Sequence, residues 1–592
     1  MYKPRLGVGW ESPENSGNTD GFGSAGRVAG SHSENRPAAT QLRCCAMSRS
    51  RVSYLVGVLT ALALVASACG GGDSSDPGDG DSADDSSLEP VYGGEIAYGL
   101  EAENNNGWCL PEAQLAISGM QVANAIYDTL TAQNADGEYV GFLAESVEPN
   151  EDYTQWTITL RDGVTFHDGS ALDAAVVKNN LDAYRGAYPA RQALLTMFVF
   201  EPITAVDVVD DLTLTVTTTP WTTFPAYLSG RIGIMGQAQL DDPDTCDTNL
   251  IGTGPFVFDD WIEGESLTVV RNDDYWRTDA DGNQLPYLDS IVFRPFLDPN
   301  ARTNALLSDE IQALHTPTPE ETSTLLAEAE AGNIKVESTS DFGEVNYVLF
   351  NTSKPPFDSL TARQAMAYAI DREEYRSVIG LDLVDVASGP FAPGVMGYLE
   401  DAGMPDYDPE KAKELVAQYE EETGMPLTFS QTILANPASQ AVAQFYQDQA
   451  AQVGIESSIE AVDQSAEIST ALGNDWQVLN WRNHPGDDPD TQYIWWYGGF
   501  PTNFNKFDDP EINALLDEGR AESDPAKRQE IYEEINREFA KELYNIWVIW
   551  TRWTIATDVD VYGLTGPPLP DGSEPNPGLA LGHPVSGMWL AN

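Results

Sequence analysis

The chain has 592 residues, of which 93 are Asp or Glu and 31 are Lys or Arg, so its formal net charge is −62. Hydrophobic residues make up 42% of the chain and aromatic residues 10%, which is enough for a large core and excludes global disorder. So negative a protein repels nucleic acid and anionic membrane surfaces, and its charge suits export or a high-salt habitat.

The chain opens with two segments that are not expected to belong to the folded body. Residues 1–46 are polar and rich in Gly, Ser and Asn, which indicates a disordered or untranslated stretch and leaves both Met1 and Met47 as candidate starts. Residues 47–68 open with the two arginines Arg49 and Arg51 and continue as an apolar run from Val52 to Ala68, which has the length of a secretory signal core and is too short for a typical membrane-spanning helix. This run predicts export.

The signal segment ends in Ala66, Ser67, Ala68 and Cys69, which are three small residues and a thiol, and it resembles a bacterial lipobox. Cleavage before Cys69 would make that residue a lipid-modified N-terminus, and two acyl chains hold a protein stably on a membrane. A plain signal peptide and an uncleaved anchor are the alternatives. Residues 69–91 follow as an acidic Gly/Ser/Asp linker, which predicts a solvated tether.

Two cysteines, Cys109 and Cys246, lie downstream of the linker, while Cys44 and Cys45 lie upstream of the signal segment. Because an exported protein meets an oxidising compartment, we predict a disulfide between Cys109 and Cys246, with two separate buried thiols as the alternative. The sequence contains no CxxC motif and no Cys/His cluster, which argues against a structural zinc site. We expect no metal and no cofactor.

The folded body is expected to begin at Tyr92 and to mix strands with helices. Alternating apolar residues predict strands at 94–99, 153–160, 212–217, 266–271 and 290–294. Helical periodicity predicts helices at 115–130 and 526–542, the second of which follows Asp524-Pro525, a helix start signal.

Six segments then occur in an order typical of one protein family. They are LAESVE (143–148), WTITLRDGVTFHDGSALDAAVV (156–177), GTGPFVF (252–258), LPYLDSIVFR (285–294), NYVLFNTSKPPFDSLTARQAMAYAIDREEY (346–375) and DPEKAKELV (408–416). The series resembles the extracytoplasmic solute-binding proteins of family 5, which serve oligopeptide, dipeptide and nickel importers of the ATP-binding-cassette (ABC) type. The resemblance covers residues 92–560, and the ordered series is more specific than any single segment.

These segments also have structural interpretations. Gly252 and Gly254 allow two backbones to pass closely, and His167 in its turn is expected to form hydrogen bonds within the fold. Such positions identify the family without identifying its cargo.

The resemblance implies an α/β, two-lobed periplasmic-binding-protein-like fold of type II, in the large cluster that carries an extra subdomain on lobe one. Lobe one would contain residues 92–250 with the extra subdomain, residues 251–344 and the returning tail 547–592. Lobe two would contain residues 345–546. The ligand would lie between the lobes and become buried when they close.

Peptide-binding members of the family use an acidic residue of the second lobe for the ligand's amino group. Counting back three residues from Asp488, the position where dipeptide binders often place that residue holds Pro485. We therefore predict that Asp487 or Asp488 takes this role. Arg482, a few residues earlier, suits an anionic group of the ligand.

Aromatic residues surround this acidic turn, and we predict that Trp481, Tyr493 and Trp496 contact the ligand. Aromatic faces can cover a peptide, stack on a sugar or enclose a cation, while core packing is the alternative for each residue. If the segment is a strand, Tyr493 and Trp495 share one face and Trp496 lies on the other. Trp108, next to Cys109, is the predicted wall in the first lobe.

The predicted function is that of a monomeric, extracytoplasmic receptor, anchored to the outer face of the cell membrane by lipid on Cys69. It would pass its ligand to the permease and ATPase subunits of an ABC importer. An oligopeptide or dipeptide is the first candidate cargo, and an oligosaccharide or a metal chelate is the alternative. A secreted hydrolase is disfavoured because the sequence has no GxSxG or HExxH motif. A surface interaction protein that has lost transport is the third hypothesis, and no nucleic acid partner is expected.

Overall fold

The computed structural model describes residues 88–591 apart from 105–106, 114, 231, 341–342, 484–487 and 579–582. The signal segment, Cys69, most of the linker and Asp487 therefore lie outside the described residues. Within the described ranges, none of the helices combines the length and the apolarity that crossing a membrane requires.

The strands follow one another along the chain as β1 (Glu95–Leu100), β2 (Thr131–Gln133), β3 (Tyr139–Gly141), β4 (Ala144–Pro149), β5 (Gln155–Leu160), β6 (Ile203–Asp210), β7 (Thr213–Thr218), β8 (Phe256–Ile262), β9 (Ser266–Arg271), β10 (Ser290–Pro295), β11 (Ala313–Thr316), β12 (Ile334–Thr339), β13 (Val345–Phe350), β14 (Asp385–Val386), β15 (Thr428–Leu434), β16 (Glu456–Val462), β17 (Val478–Asn483), β18 (Asn545–Trp550), β19 (Trp553–Asp558), β20 (Val561–Tyr562) and β21 (Trp589–Leu590).

The α-helices are α1 (Ile117–Ile126), α2 (Ala174–Tyr184), α3 (Thr196–Val199), α4 (Gln237–Asp241), α5 (Pro299–Leu307), α6 (Pro319–Glu330), α7 (Leu360–Ala369), α8 (Arg372–Val378), α9 (Pro409–Thr423), α10 (Pro437–Gln452), α11 (Gln464–Leu472), α12 (Tyr493–Trp496), α13 (Pro510–Ala521) and α14 (Pro525–Glu542). Short 3₁₀ helices lie at Phe224–Leu228, Pro489–Gln492 and Val585–Gly587.

Two large mixed sheets define the two lobes. The sheet of lobe one has seven strands in the order β12-β19-β11-β1-β10-β9-β8, and β1 runs parallel to both β10 and β11. The sheet of lobe two has six strands in the order β14-β18-β13-β17-β15-β16. The predicted two-lobed α/β architecture is therefore present.

The extra subdomain on lobe one is built around a four-stranded antiparallel sheet in the order β4-β5-β7-β6. Along β5 the even-numbered residues Trp156, Ile158 and Leu160 are buried, as expected for a strand with one face on a core. A disulfide joins Cys109, after β1, to Cys246, after α4, and both cysteines are buried in the core that lobe one shares with the subdomain.

The chain crosses between the lobes twice, from β12 to β13 and from β18 to β19. The two crossings contact each other, since the Thr551 backbone N–H donates to the Glu344 carbonyl at 2.7 Å and the Asn346 side chain donates to the Thr551 hydroxyl at 2.6 Å. The sequence predicted that lobe two ends at Ile546. In the structure it ends at Trp550, because β18 continues to pair with β13 up to the register Val345 with Trp550.

Most predicted elements appear with small shifts at their ends, and β9 has the predicted bounds. Helix α14 begins at Pro525, where the Asp524 carboxylate accepts a hydrogen bond from the Ala526 N–H at 3.0 Å. Helix α1 is shorter than the predicted 115–130, because the Ile126 carbonyl accepts the Gly254 N–H at 2.9 Å and the chain is extended at Tyr127.

The GTGP segment passes very close to the end of α1. A Cβ atom on Gly252 would lie 1.9 Å from the Ile126 carbonyl oxygen, and one on Gly254 would lie 2.5 Å from the Ile126 carbonyl carbon. The His167 ring bonds to the same segment, with Nε2 3.0 Å from the Gly254 oxygen and Nδ1 accepting the Gly252 N–H at 3.3 Å. The predicted structural roles of these three residues are confirmed.

Candidate ligand site between the lobes

An ion pair crosses between the two lobes beside the two crossing segments. Glu101 directly follows β1 of lobe one, and Arg482 lies near the end of β17 of lobe two, paired in register with Asn346. Arg482 Nη2 lies 3.1 Å from Glu101 Oε1, and the guanidinium stands 5.5 Å from the centre of the Trp553 ring of lobe one. The side chains of Arg482 and Glu101 keep 34% and 18% of their surface exposed, so the pair is partly accessible to solvent.

The charges around Arg482 hold both partners ionised. Burial acts to lower the pKa of Arg482, but Glu101 and Glu344 outweigh burial and raise that pKa above its usual value. Burial acts to raise the pKa of Glu101, while Arg482 and other nearby cations hold this pKa below its ordinary value. The site therefore presents a fixed cation on one lobe and a fixed anion on the other.

Two further glutamates of this neighbourhood are almost completely buried. Glu344, at the first crossing, has an oxygen 3.7 Å from Arg482 Nη1, and burial raises its pKa despite the attraction of Arg482. Glu467 on α11 is 6% exposed, and burial raises its pKa to about 8 although the charge of Arg482 opposes the shift. Glu467 thus carries a proton at neutral pH.

This proton makes the stability of the protein depend on pH. Because the folded-state pKa of Glu467 lies above its unfolded value of 4.5, the stabilisation from its proton is present at low pH and is lost as pH rises through about 8. Glu467→Gln is expected to remove a fall of about 2 kcal/mol in the free energy of unfolding between about pH 6 and pH 7.5. Urea denaturation at several pH values measures this fall.

The control for this prediction is Glu460→Gln, since Glu460 is an exposed glutamate on the preceding strand β16. We expect it to leave the pH dependence of the wild type unchanged. An identical pH dependence in Glu467→Gln and the wild type would contradict the assignment.

The aromatic residues after the acidic turn lie on a helix, so the predicted alternation of Tyr493, Trp495 and Trp496 on a strand is wrong. Tyr493–Trp496 forms α12, because Pro489 begins a 3₁₀ turn that continues directly into it. Trp496 is buried against Phe539, with ring centres 4.7 Å apart, and belongs to the core of lobe two. Tyr493 donates its hydroxyl to Asp517 at 2.6 Å.

The two remaining predicted aromatic contacts lie in different surroundings. Trp481 on β17 is partly buried, stands edge-on to Phe504 with ring centres 5.2 Å apart, and is the neighbour of Arg482 in the chain. Trp108 is buried in lobe one against Trp261 and borders a cavity of about 20 Å³ that first-lobe residues line. Because consecutive strand residues face opposite sides of a sheet, Trp481 points away from Arg482 towards the core of lobe two, and Trp108 faces a cavity within lobe one.

The predicted acidic residue Asp488 is engaged by another side chain of its own lobe. Its two carboxylate oxygens accept hydrogen bonds from Arg528, each at 2.6 Å, and Oδ1 also accepts the Asp490 N–H at 2.9 Å. An amino group of a ligand would have to compete with this bidentate ion pair. The role of Asp488 in ligand binding stays a prediction.

Sequence reasoning missed Glu101, Glu344, Glu467 and Asp490. A signal existed for Glu101, because it lies two residues after the end of the predicted strand 94–99, and ligands of open α/β sheets bind at the carboxyl ends of strands. No comparable signal distinguishes the other three among 93 acidic residues. Across the described part of the chain, no three His, Cys, Asp or Glu side chains gather closely enough to hold a metal ion.

Comparisons with known proteins identify the protein family to which this chain is related. The model of the family described as bacterial extracellular solute-binding proteins, family 5, matches residues 138–504. The chain is 30% identical over 430 residues to the glutathione-binding protein GsiB of Salmonella paratyphi A, a match that covers 70% of this chain and 81% of that protein. GsiB of Escherichia coli K12 is 29% identical over 428 residues, covering 69% and 80%.

Solved structures confirm the two-lobed fold. The binding protein AgaA of A. tumefaciens R10, in complex with agropinic acid, superposes with a TM-score of 0.75 and 26% identity over 84% of this chain and 99% of AgaA. The oligopeptide-binding protein AppA of Bacillus subtilis, in complex with a nonapeptide, gives a TM-score of 0.73 with 21% identity over 85% of this chain and 100% of AppA. At 21% identity, the similarity to AppA is evidence for the fold alone.

Proposed function

The chain belongs to family 5 of the bacterial extracellular solute-binding proteins, and from this membership we propose that it captures a short peptide between its lobes for an ABC importer. The protein binds and releases its ligand without making or breaking bonds in it. Permease and ATPase subunits in the membrane receive the ligand. The proposed working form is a monomer, since one chain supplies both lobes of the cleft.

The observation that carries this proposal is the ion pair between Glu101 and Arg482 across the lobes. A solute with one amino group and one carboxylate can replace this contact by binding each of its charges to the oppositely charged side chain. The guanidinium of Arg482 can hold a carboxylate through two parallel hydrogen bonds, and Glu101 can accept an ammonium group. Trp553 offers a flat surface beside the guanidinium.

Glutathione is the first candidate ligand because the GsiB proteins are named for binding it. Glutathione is a tripeptide with one ammonium group and two carboxylates at neutral pH, so its charges complement the pair. The second carboxylate of glutathione needs a further hydrogen-bond donor. Other short peptides also carry one ammonium group for Glu101 and one carboxylate for Arg482, without a second carboxylate. An oligosaccharide or a metal chelate would use the aromatic surface without the charged pair.

The test is to identify the solute that the purified full chain carries and to titrate the chain with three probes. Native mass spectrometry detects a copurified solute, and calorimetry compares glutathione, trialanine and maltotriose. We expect glutathione or trialanine to bind at micromolar or lower concentration. Binding of maltotriose alone would replace the peptide assignment by an oligosaccharide, and binding of a copurified metal complex alone would replace it by a chelate.

We also propose that Cys69 anchors the protein to the outer face of the cell membrane through lipid. Cys69→Ser is expected to move the protein from the membrane fraction to the soluble extracytoplasmic fraction, because the two acyl chains are lost. Cell fractionation with labelled fatty acid measures both the location and the modification. Ser74→Ala in the linker that follows Cys69 is the control and should leave the protein in the membrane fraction, whereas an unchanged location of Cys69→Ser would contradict lipid anchoring.

A further inference from the structure

A second contact between the lobes involves Asp490, which lies in the 3₁₀ helix Pro489–Gln492 of lobe two and is fully buried. One carboxylate oxygen accepts a hydrogen bond from Arg520 Nε of the same lobe at 2.9 Å. The other oxygen accepts two hydrogen bonds from the first-lobe side, from Trp221 Nε1 at 3.0 Å and from the Thr223 hydroxyl at 2.7 Å. The Asp490 carboxylate therefore bonds to both lobes at once.

Arg520 extends this contact. Its Nη2 donates to the Tyr227 hydroxyl of the first-lobe side at 3.0 Å, and its backbone carbonyl accepts the Thr222 N–H at 3.0 Å. The Tyr227 hydroxyl in turn donates to the Asp490 carbonyl at 2.5 Å. The guanidinium stands 4.9 Å from the Trp221 ring centre, so side chains of lobe one surround the buried ion pair of lobe two.

The first-lobe hydrogen bonds to this pair exist only while the lobes are together. When the lobes separate, water must hydrate Asp490, Arg520 and the Trp221 indole, and the contacts between protein groups are lost. Charge-assisted hydrogen bonds in a buried site are stronger than neutral ones, so they favour the closed arrangement. Asp490→Asn replaces one of the two accepting oxygens by an NH2 group, so the side chain can no longer accept hydrogen bonds from Arg520 on one side and from Trp221 and Thr223 on the other at the same time.

The same chain segment joins this contact to the candidate ligand site. Arg482 and Asn483 end β17, the Asn483 side chain donates to Gln492, and Gln492 belongs to the 3₁₀ helix of Asp490. We propose that Asp490 is a positioning residue that holds the extra subdomain against lobe two in the closed state and so increases ligand affinity without touching the ligand. The effect on affinity rests on the proposed function, whereas the effect on closure does not.

The experiment measures lobe closure and affinity for Asp490→Asn in the full chain. Small-angle X-ray scattering gives the radius of gyration with and without glutathione, and calorimetry gives the affinity for glutathione. We expect a larger radius of gyration than in the wild type in at least one of the two conditions, and an affinity for glutathione about tenfold weaker. An unchanged radius of gyration in both conditions would overturn the proposal.

Glu321→Gln is the matched control, because Glu321 and Arg302 form a buried ion pair within lobe one. It should destabilise the fold without opening the lobes, and an equal increase in radius of gyration would count against a specific role of Asp490. If Asp490→Asn does not fold, Thr223→Val replaces it, since it removes one first-lobe donor at a partly exposed position. If no probe binds the wild type, the proposed function fails, and the ligand-free radii still decide whether Asp490 holds the lobes together.

Discussion

Arg482→Met is expected to weaken the binding of glutathione by roughly 30-fold to more than 1,000-fold, the largest effect on binding that we expect from one side chain. In the proposed complex, the bound ligand and the closed lobes bury the pair between the ligand carboxylate and Arg482. Removing one partner of such a buried, hydrogen-bonded charge pair costs about 2 to 5 kcal/mol, and each 1.4 kcal/mol equals about a factor of ten in affinity. The loss includes the carboxylate contact of the ligand and the unpaired charge left on Glu101. Isothermal titration calorimetry measures the change.

Two variants make this prediction specific. Arg482→Lys keeps the positive charge but loses the forked geometry of the guanidinium, so we expect it to recover only part of the affinity. Arg294→Met is the control, because Arg294 is similarly exposed and forms an ion pair with Glu310 within lobe one. Wild-type affinity in Arg482→Met, or an equal loss in Arg294→Met, would show that Arg482 does not bind the ligand.

Removal of the disulfide is expected to have the largest effect on stability. Cys109 and Cys246 are 137 residues apart in the chain, and closing so long a loop stabilises the folded state by about 4 to 5 kcal/mol in the loop-entropy estimate, which strain usually reduces. Cys109→Ala/Cys246→Ala should therefore lower the free energy of unfolding by up to this amount. Guanidinium denaturation followed by tryptophan fluorescence measures the loss.

The single variant Cys246→Ala is the companion to the double variant, since it breaks the same bond and leaves a free thiol at Cys109. Its stability should be close to that of the double variant and to that of the reduced wild type. If oxidised wild type and double variant unfold at the same denaturant concentration, the disulfide does not stabilise the folded state.

The sequence alone was sufficient to predict the two-lobed fold and the protein family. The reason is that motifs such as WTITLRDGVTFHDGS and GTGPF owe their residues to local backbone geometry, which a linear pattern records. Gly252 and Gly254 illustrate this, because any side chain there would collide with the end of α1. The pairing of Cys109 with Cys246 also followed from the sequence, since export left these two cysteines as natural partners.

The candidate site was only partly predictable. Arg482 was identified as a group for an anion, but its partner Glu101 lies in the other lobe, 381 residues earlier in the chain. The predicted strand around Tyr493 is a short helix, because the proline-led turn before it continues into helical backbone. Local propensity did not reveal this, since a run of Tyr, Ile and Trp is typical of strands.

The sequence determined the elements, their order and the chemistry available in each, because strand alternation, helix starts and glycine positions depend on neighbouring residues. The tertiary structure decided which of many similar side chains meet. Asp490 is one of 93 acidic residues, and it contacts Trp221, 269 residues away, only because two lobes fold against each other. Burial and nearby charges give Glu101 and Glu467 different protonation states, and cross-lobe contacts give Asp490 its hydrogen-bond partners. Burial and contacts of this kind are properties of the folded chain.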